Sequence, residues 1–350
     1  MCGLKFKKIT ALFLAFLLLP LMACSSGEVQ KNNEGNSKEE NKIQIGMCFD
    51  SFVIERWQRD RDIFVQAAKE MGAEVNIQNA NGDIEEQKRQ IDYFIKKGMD
   101  VIVIVCIDSD SLSDSVKDAK DAGIKVIAYD RLINNADIDL YISFDNEMVG
   151  TLMGQALVDN GVAGGNVLIV GGSPADNNVA LVENAFKEVM DYNHVNIIGT
   201  THCDGWRAEL ASEYIYDNMD LVEECDAIMC GNDNLASEVV SALSVQRLAK
   251  KIMVTGQDAD LEACQRIVEG TQIMTVYKPV EKLARRAAEC ALALAKNEEL
   301  IGEDVGTISN GEEEIPYVKL EPIKVTKENM DEVIISSGFH MKEEVYLNVK

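Results

Sequence analysis

Short apolar runs alternate with helical patterns along almost the whole chain from Ile43 onward, and this alternation constrains the fold more than any other feature of the sequence. Runs of helical periodicity lie between many of these apolar runs. Strands that alternate with helices form parallel sheets with helices on both faces. The sequence therefore predicts a doubly wound α/β protein. The strand-like runs are residues 43–49, 74–78, 101–107, 125–129, 140–143, 167–170, 196–199, 227–230 and 252–255.

The length of the chain favours two such sheets rather than one. A single sheet of nine strands would be large, and the roughly 300 residues that follow the N-terminal segment suit two domains of ordinary size. Asp145 and Asn146 come after a short strand and open a new helix, so we expect the chain to leave the first lobe near this point.

The first 42 residues have the pattern of an export segment followed by a tether. Three lysines precede an apolar run at 9–19 that is too short to span a bilayer comfortably, and Cys24 follows shortly afterwards. This resembles a bacterial lipoprotein signal, which implies cleavage before Cys24 and lipid on its sulfur. We therefore predict a signal at 1–23 and a disordered tether at 24–42. An ordinary secretory signal or an uncleaved anchor is the alternative.

The charge of the chain argues against nucleic acid as a partner. The formal net charge is −25 at pH 7, and loss of the basic signal would make the mature chain more acidic still. A strongly acidic protein repels a phosphate backbone.

Seven cysteines remain after Cys2 and Cys24 are set aside. Their number is odd, no CxxC pair occurs, and several lie inside apolar runs. We expect free, buried thiols, with disulfides or a metal site as the alternatives. These residues are Cys48, Cys106, Cys203, Cys225, Cys230, Cys264 and Cys290.

Polar side chains and both tryptophans follow six of the predicted strands. Ligands of open α/β sheets bind beyond the carboxyl ends of the strands. Carboxylates, guanidinium groups and amides match the hydroxyls of a sugar, and indole rings can cover its apolar faces. The pattern favours a site for a neutral polyol. The residues are Arg56, Trp57, Asp130, Arg131, Asp176, Asn178, Trp206, Asn232 and Asp258.

Each of these residues also has an ordinary structural role. A tryptophan at a helix start often packs in a core, Asp176 and Asn232 suit helix N-caps, and Asp130 with Arg131 suits a surface ion pair. Only the recurrence of polar and aromatic side chains after six predicted strands favours a binding site.

Enzymatic patterns are weak in this sequence. The three histidines lie beside no candidate nucleophile, and no zinc spacing or phosphate-binding loop occurs. Lys278 could form a Schiff base, but a hydrogen bond from its amine to a ligand hydroxyl suits it better. We predict a protein that is not an enzyme and that needs no cofactor and no metal.

Six sequence runs together resemble the D-xylose-binding proteins of bacterial ABC transporters, within the periplasmic sugar-binding protein family. The resemblance covers nearly all of residues 42–340. The runs are ERWQRDRDIF (55–64), YDRLINNADIDLYISFDNE (129–147), GGSPADNN (171–178), DGW (204–206), GQDADL (256–261) and GTQIMTVYKP (270–279).

This resemblance implies two similar α/β lobes joined by a three-segment hinge, the type I periplasmic binding protein fold. It implies a first lobe of residues 43–147 plus 278–312 and a second lobe of 148–277 plus 313–345. The family's sugar contacts fall on the nine strand-end residues and on Lys278. The sequence departs from the family pattern at Cys203, just before the DGW run, which concerns the setting of Trp206.

The resemblance also implies a function. We expect a monomeric, lipid-anchored receptor outside the cytoplasm that closes around D-xylose, or a close aldopyranose, and delivers it to an ABC permease and its ATPase. The alternatives are a sugar sensor for a membrane histidine kinase or chemoreceptor, an exported aldolase or isomerase that uses Lys278 or Asp258, and a cytoplasmic repressor. A repressor would need an N-terminal DNA-binding helix pair, where this chain has the predicted signal and tether.

Overall fold

A computed structural model describes residues 42–311 and 313–349 of the chain. The predicted signal, the predicted lipidation site Cys24 and all of the predicted tether except Lys42 lie outside these residues. Of the helices in the described part, none has both the length and the apolar character that a bilayer span requires. The chain from Lys42 onward forms one compact unit.

Seven strands of the described residues form the first sheet. Its pairs are parallel, except that β11 runs antiparallel to β12. The strands, in spatial order, are β11 (Val305–Ser309), β12 (Glu314–Leu320), β5 (Leu140–Phe144), β4 (Lys125–Tyr129), β3 (Val101–Ile104), β1 (Gln44–Phe49) and β2 (Glu74–Asn79).

Six further strands in the described part of the chain form the second sheet. It is also parallel, apart from the antiparallel edge pair of β13 and β10. The spatial order is β13 (Ile323–Val325), β10 (Met274–Tyr277), β9 (Met253–Gln257), β8 (Ala227–Cys230), β6 (Asn166–Gly171) and β7 (Asn196–His202). The two sheets and their helices confirm the predicted α/β class.

Helices cover the two sheets and are divided between them. Helices α1, α2, α3 and α10 pack with the first sheet, and α4 to α9 and α11 belong with the second. The helices are α1 (Arg56–Glu70), α2 (Ile84–Lys97), α3 (Ser113–Asp121), α4 (Asn146–Asp159), α5 (Asn177–Tyr192), α6 (Glu209–Asp217), α7 (Met219–Glu224), α8 (Asp233–Val245), α9 (Leu261–Glu269), α10 (Val280–Ala295) and α11 (Lys342–Val345).

The chain passes between the two sheets three times. It crosses after β5, again between β10 and α10, and finally between β12 and β13. We predicted that the last segment of the second lobe starts at residue 313. Strand β12 instead pairs with β5 in the first sheet, so the third crossing follows Leu320.

Local sequence signals explain where several helices begin and end. Asp145, Asp176 and Asn232 cap α4, α5 and α8, each by accepting a hydrogen bond from a backbone N–H of the first turn. Helix α2 ends at Gly98, whose φ of 66° lies in the left-handed region that glycine adopts without strain. Asp176 and Asn232 therefore do act as helix N-caps, the structural role that the sequence also suggested for them.

All nine predicted strands are present, and four further strands were not predicted from the sequence. Strand β10 has four residues, and β13 has three. Strand β12 contains Pro316, which argues against a strand in a sequence because proline cannot donate to the ladder.

The cysteines of the described part are free and buried, as the sequence predicted. Burial raises the pKa of Cys48 to about 12, so its thiol stays protonated at neutral pH.

Candidate functional site

The ten predicted site residues line a single cavity. Each lies at or shortly after the carboxyl end of a strand, as the sequence predicted for all of them except Lys278, whose strand β10 was not predicted. None of the ten is more than 8% exposed. The first sheet supplies Arg56, Trp57, Asp130 and Arg131, and the second supplies Asp176, Asn178, Trp206, Asn232, Asp258 and Lys278.

Arg56 is held by carboxylates on two sides. Its Nη2 lies 2.9 Å from Asp60 Oδ1, and its Nη1 lies 2.9 Å from Asp130 Oδ2. Tyr129 donates its hydroxyl hydrogen to Asp60, which keeps that carboxylate in place below the guanidinium group. Burial alone would lower the pKa of Arg56, but the two carboxylates outweigh it and hold the pKa well above its ordinary value.

Arg131 connects three parts of the chain. Its Nη1 donates to Asp50 Oδ2 at 2.8 Å and to the Cys106 carbonyl at 3.0 Å, and its Nε lies 2.9 Å from Asp176 Oδ2. Its Nη2 is buried and has no hydrogen-bond partner among the described residues. Arg131 therefore keeps a donor for a further group. Asp130 and Arg131 are not the exposed pair that the sequence left open, because both are buried.

Asp130 is ionised at the junction of these two arginine networks. Its φ of 64° turns the backbone into the left-handed region, and its carbonyl accepts from Ser143 Oγ at 2.8 Å. Burial would raise the pKa of its carboxyl, but the charges of Arg56, Lys278 and Arg131 outweigh burial and lower the pKa. The cavity thus contains a carboxylate that can accept hydrogen bonds from hydroxyls.

The two tryptophans both line the cavity, Trp57 from helix α1, which packs on the first sheet, and Trp206 from the turn that follows β7 of the second sheet. The Arg56 guanidinium carbon lies 4.6 Å from the centre of the Trp57 ring. The Nε1 atoms of Trp57 and Trp206 are buried without a hydrogen-bond partner within residues 42–311 and 313–349. Buried donors of this kind normally find a partner, so both are suited to a polar ligand.

Gly172 gives Trp206 its place in the cavity wall. A Cβ atom on Gly172 would lie 2.2 Å from Trp206 Cη2, so no larger residue fits without moving the ring. Trp206 itself has a φ of 59° in a short 3₁₀ turn that begins at Asp204. Cys203 is buried just before this turn, and it does not displace Trp206 from the cavity.

Three polar residues close the side of the cavity formed by the second sheet. Lys278 Nζ lies 3.6 Å from Asp258 Oδ1, and both side chains are buried. Asn232 uses its Oδ1 to cap α8, which leaves its amide nitrogen for another partner. This side therefore presents both donors and an acceptor.

Several cavity residues were not predicted from the sequence. Gln257 donates to the Gly231 carbonyl, and its Oε1 is buried without a partner in the described part of the chain. Its position next to Asp258, at the end of β9, could have identified it as a cavity residue from the sequence. Glu183, in the second turn of α5, has no such signal, and neither do the apolar residues of the cavity. In the sequence these residues cannot be distinguished from other helix and strand residues. The apolar lining consists of Ile54, Val179, Val182 and Met229.

Comparison with known proteins places the chain among sugar-binding proteins. A periplasmic binding protein domain matches residues 45–299. A D-xylose-binding periplasmic protein of Haemophilus influenzae is 44% identical over 316 residues, which are 89% of this chain and 94% of that protein. The D-xylose-binding periplasmic protein of Escherichia coli is 44% identical over 309 residues, which are 87% of this chain and 93% of that protein.

Solved structures show the same fold. An ABC transporter solute-binding protein from Clostridium phytofermentans, solved with bound β-D-glucose, has a TM-score of 0.79 at 29% identity. The match covers 86% of this chain and 99% of that one. A carbohydrate transporter solute-binding protein from Chloroflexus aurantiacus in complex with D-glucose also has a TM-score of 0.79, at 26% identity, over 87% of this chain and 98% of that one.

Proposed function

The chain belongs to the periplasmic binding protein family, and from this we propose that it captures D-xylose, or a close aldopyranose, outside the cytoplasm and delivers it to an ABC importer. It binds its solute and does no covalent chemistry. The observation that carries the proposal is the meeting of ten buried polar and aromatic residues from two sheets in one cavity.

The chemistry of the cavity suits a pentose ring. Arg56, Arg131 and Lys278 donate to hydroxyl oxygens, and Asp130 accepts from hydroxyl hydrogens. Trp57 and Trp206 offer apolar ring faces to the C–H faces of the sugar. Hydrogen bonds to charged groups contribute about 1.5–3 kcal/mol each, so a sugar that leaves one unmade is strongly disfavoured.

The burial of the site requires the protein to open. We propose a first lobe of residues 42–145 plus 279–320 and a second lobe of residues 146–278 plus 321–349, joined at the three crossings. A sugar that contacts both lobes binds the closed form better than the open form and shifts the population toward it.

We further propose that the chain is attached to the membrane by lipid on Cys24. The position of Cys24 after a short apolar run supports this. A Cys24→Ala chain expressed in a bacterial host should fail to take up labelled fatty acid and should leave the membrane fraction. Labelling of Cys24→Ala equal to that of the unchanged protein would contradict the proposal.

Calorimetric titration of the lipid-free chain with D-xylose, D-ribose and D-glucose tests the sugar function. We expect one saturable site with the tightest binding for D-xylose, accompanied by a change in tryptophan emission. Lys278→Met should weaken binding, whereas Lys282→Met, on the exposed side of α10, should not. No heat and no change in emission with any of the three sugars would overturn the proposal.

A further inference from the structure

Ser109 lies at the contact between the two lobes but outside the cavity. It follows β3 in the first lobe, is 3% exposed, and is not among the residues that line the cavity. Its carbonyl accepts a hydrogen bond from the Asn134 N–H at 2.8 Å, which fixes the serine to its own lobe. Ser109 is therefore firmly placed in its own lobe, where its side chain also interacts with the Cys106 thiol.

Ser109 holds the backbone of the second lobe with two hydrogen bonds. Its N–H donates to the Ala175 carbonyl at 2.9 Å, and its Oγ accepts from the Asn177 N–H at 3.1 Å. These two residues flank Asp176, the N-cap of α5. Asn177 is the first residue of that helix, so its N–H has no carbonyl partner within the helix and Ser109 supplies one.

Further contacts between the lobes meet at the same helix start. Asp176 Oδ2 lies 2.9 Å from Arg131 Nε of the first lobe. Asn178 donates its amide hydrogen to the Asp130 carbonyl at 2.9 Å and accepts from the Tyr141 hydroxyl at 3.1 Å. Asp176 and Asn178, which the sequence assigned to the sugar, thus also bind the first lobe directly.

We propose that Ser109 is a closure latch that slows release of the bound sugar without touching it. This rests on the proposed function, because it requires a sugar and two lobes that separate to release it. The latch is bonded only when the start of α5 reaches the first lobe, so it stabilises the closed form alone. Since Ser109 binds backbone groups and not the ligand, it affects every sugar to the same degree.

Two substitutions remove the same hydrogen bond from opposite lobes. Ser109→Ala deletes the acceptor. Asn177→Pro deletes the donor, and proline is well accepted at the first position of a helix. Asp176 already has the extended backbone, with φ −99° and ψ 114°, that a residue before proline prefers. A pair of this kind keeps the test informative even if one variant folds poorly.

Stopped-flow tryptophan fluorescence with D-xylose measures the effect. Each variant should release the sugar about three- to tenfold faster, the cost of one lost hydrogen bond, with a nearly unchanged association rate. The double variant should release it no faster than the faster single variant, because both changes remove one bond. The ratio of affinities for D-xylose and D-glucose should stay at the unchanged protein's value in every variant.

A matched control is Ser111→Ala, in the same loop of the first lobe, which should release D-xylose at the unchanged rate. The latch is wrong if the unchanged protein binds D-xylose but Ser109→Ala and Asn177→Pro release it at the same rate as that protein. Multiplying effects in the double variant, or a changed ratio between the two sugars, also contradict it. If the unchanged protein binds no sugar at all, the proposed function fails and the latch fails with it.

Discussion

At the scale of single residues, Asp60 shows how a side chain outside the cavity sets its chemistry. It is fully buried in the second turn of α1. Its Oδ1 accepts a hydrogen bond from Arg56 Nη2 at 2.9 Å, and its Oδ2 accepts one from Arg56 Nε at 3.2 Å. An arginine and a carboxylate four residues later in a helix usually form an ion pair on the solvent-exposed surface. Here burial makes the pair a support for an arginine that lines the cavity.

The first prediction concerns Asp60→Asn. The amide keeps the shape of the carboxylate but removes its charge, so Arg56 loses one of its two anionic partners and moves more freely. We expect D-xylose affinity to fall about tenfold, in line with the loss of a charge-assisted hydrogen bond. Calorimetric titration measures it.

The control for Asp60→Asn is Asp62→Asn in the same helix. The Asp62 side chain is 68% exposed and pairs with Arg61 on the surface. Its substitution should leave the affinity unchanged. Equal affinities for Asp60→Asn and the unchanged protein would show that Asp60 does not position Arg56.

Asp233 is a buried acid that follows Asn232, a residue of the cavity wall. Its Oδ2 accepts from Thr275 Oγ1 at 2.7 Å and from the Asp260 N–H at 3.2 Å, and its Oδ1 accepts from Gln272 Nε2 at 2.8 Å. Burial raises the pKa of Asp233 to about 7 from its ordinary 3.8. The positive charge of Arg266 and the two side-chain hydrogen bonds offset only part of that rise, to which the charge of Asp258 adds.

The second prediction is a pH dependence of stability that Asp233 causes. Because its pKa is higher in the folded protein, unfolding releases a proton between about pH 4 and pH 7. The contribution of Asp233 to the free energy of unfolding is fully present below pH 4 and is lost as the pH rises through 7. The free energy of unfolding by urea should therefore fall more steeply from pH 5 to pH 8 in the unchanged protein than in Asp233→Asn. Parallel pH profiles would show that Asp233 does not titrate in this range.

At the scale of elements, the loop between β6 and α5 serves both the cavity and the contact between the lobes. Gly172 leaves room for the Trp206 ring, and the helix start a few residues later contacts Ser109. One short segment therefore takes part in both the cavity wall and the contact between the lobes.

The third prediction is that Gly172→Ala weakens sugar binding. The added Cβ would lie 2.2 Å from Trp206 Cη2, so the indole must leave its place in the cavity wall. We expect about tenfold or larger loss of D-xylose affinity together with altered tryptophan emission.

Gly306→Ala in strand β11 is the matched control, because a Cβ there has no heavy atom within 4 Å. It should bind D-xylose as the unchanged protein does. If Gly172→Ala also bound normally, Trp206 would not be part of the site.

The elements that the sequence predicted are those whose signals are local. The nine strand runs are bounded by turn residues and helical patterns, and caps such as Asp145 have their hydrogen-bond partner three residues away. Strand β12 was not predicted, and it contains Pro316, a residue that is unusual inside a strand. The boundary at residue 313 came from the family resemblance, whereas β12 pairs with β5 of the first sheet.

The site was predicted as a set of residues but not as a network. Arg56, Asp130 and Asp258 were predicted because each follows the end of a strand. The distances between them could not be known from the sequence. The partners of these residues come from distant parts of the chain, as with Arg131 and Asp50, which are 81 residues apart. Such pairs depend on tertiary packing, for which a single sequence contains no local signal.

At the scale of the whole molecule, the two lobes form one compact unit around the cavity. A ligand that contacts both lobes stabilises the whole unit, because the unfolded chain has no site to bind it.

The fourth prediction follows from this linkage. D-xylose at one hundred times its dissociation constant should raise the free energy of unfolding by about 2.7 kcal/mol. Differential scanning calorimetry should show the same single transition moved to higher temperature. Lys278→Met should show a smaller shift at the same sugar concentration, and an equal shift in that variant would place the sugar elsewhere.

The most direct measurement is a crystal structure of the lipid-free chain grown with D-xylose. We predict a pentose ring between Trp57 and Trp206, with hydroxyls bonded to Arg56, Asp130 and Lys278. Density for the sugar outside this cavity, or contact with residues of one lobe alone, would contradict a site shared between two closing lobes.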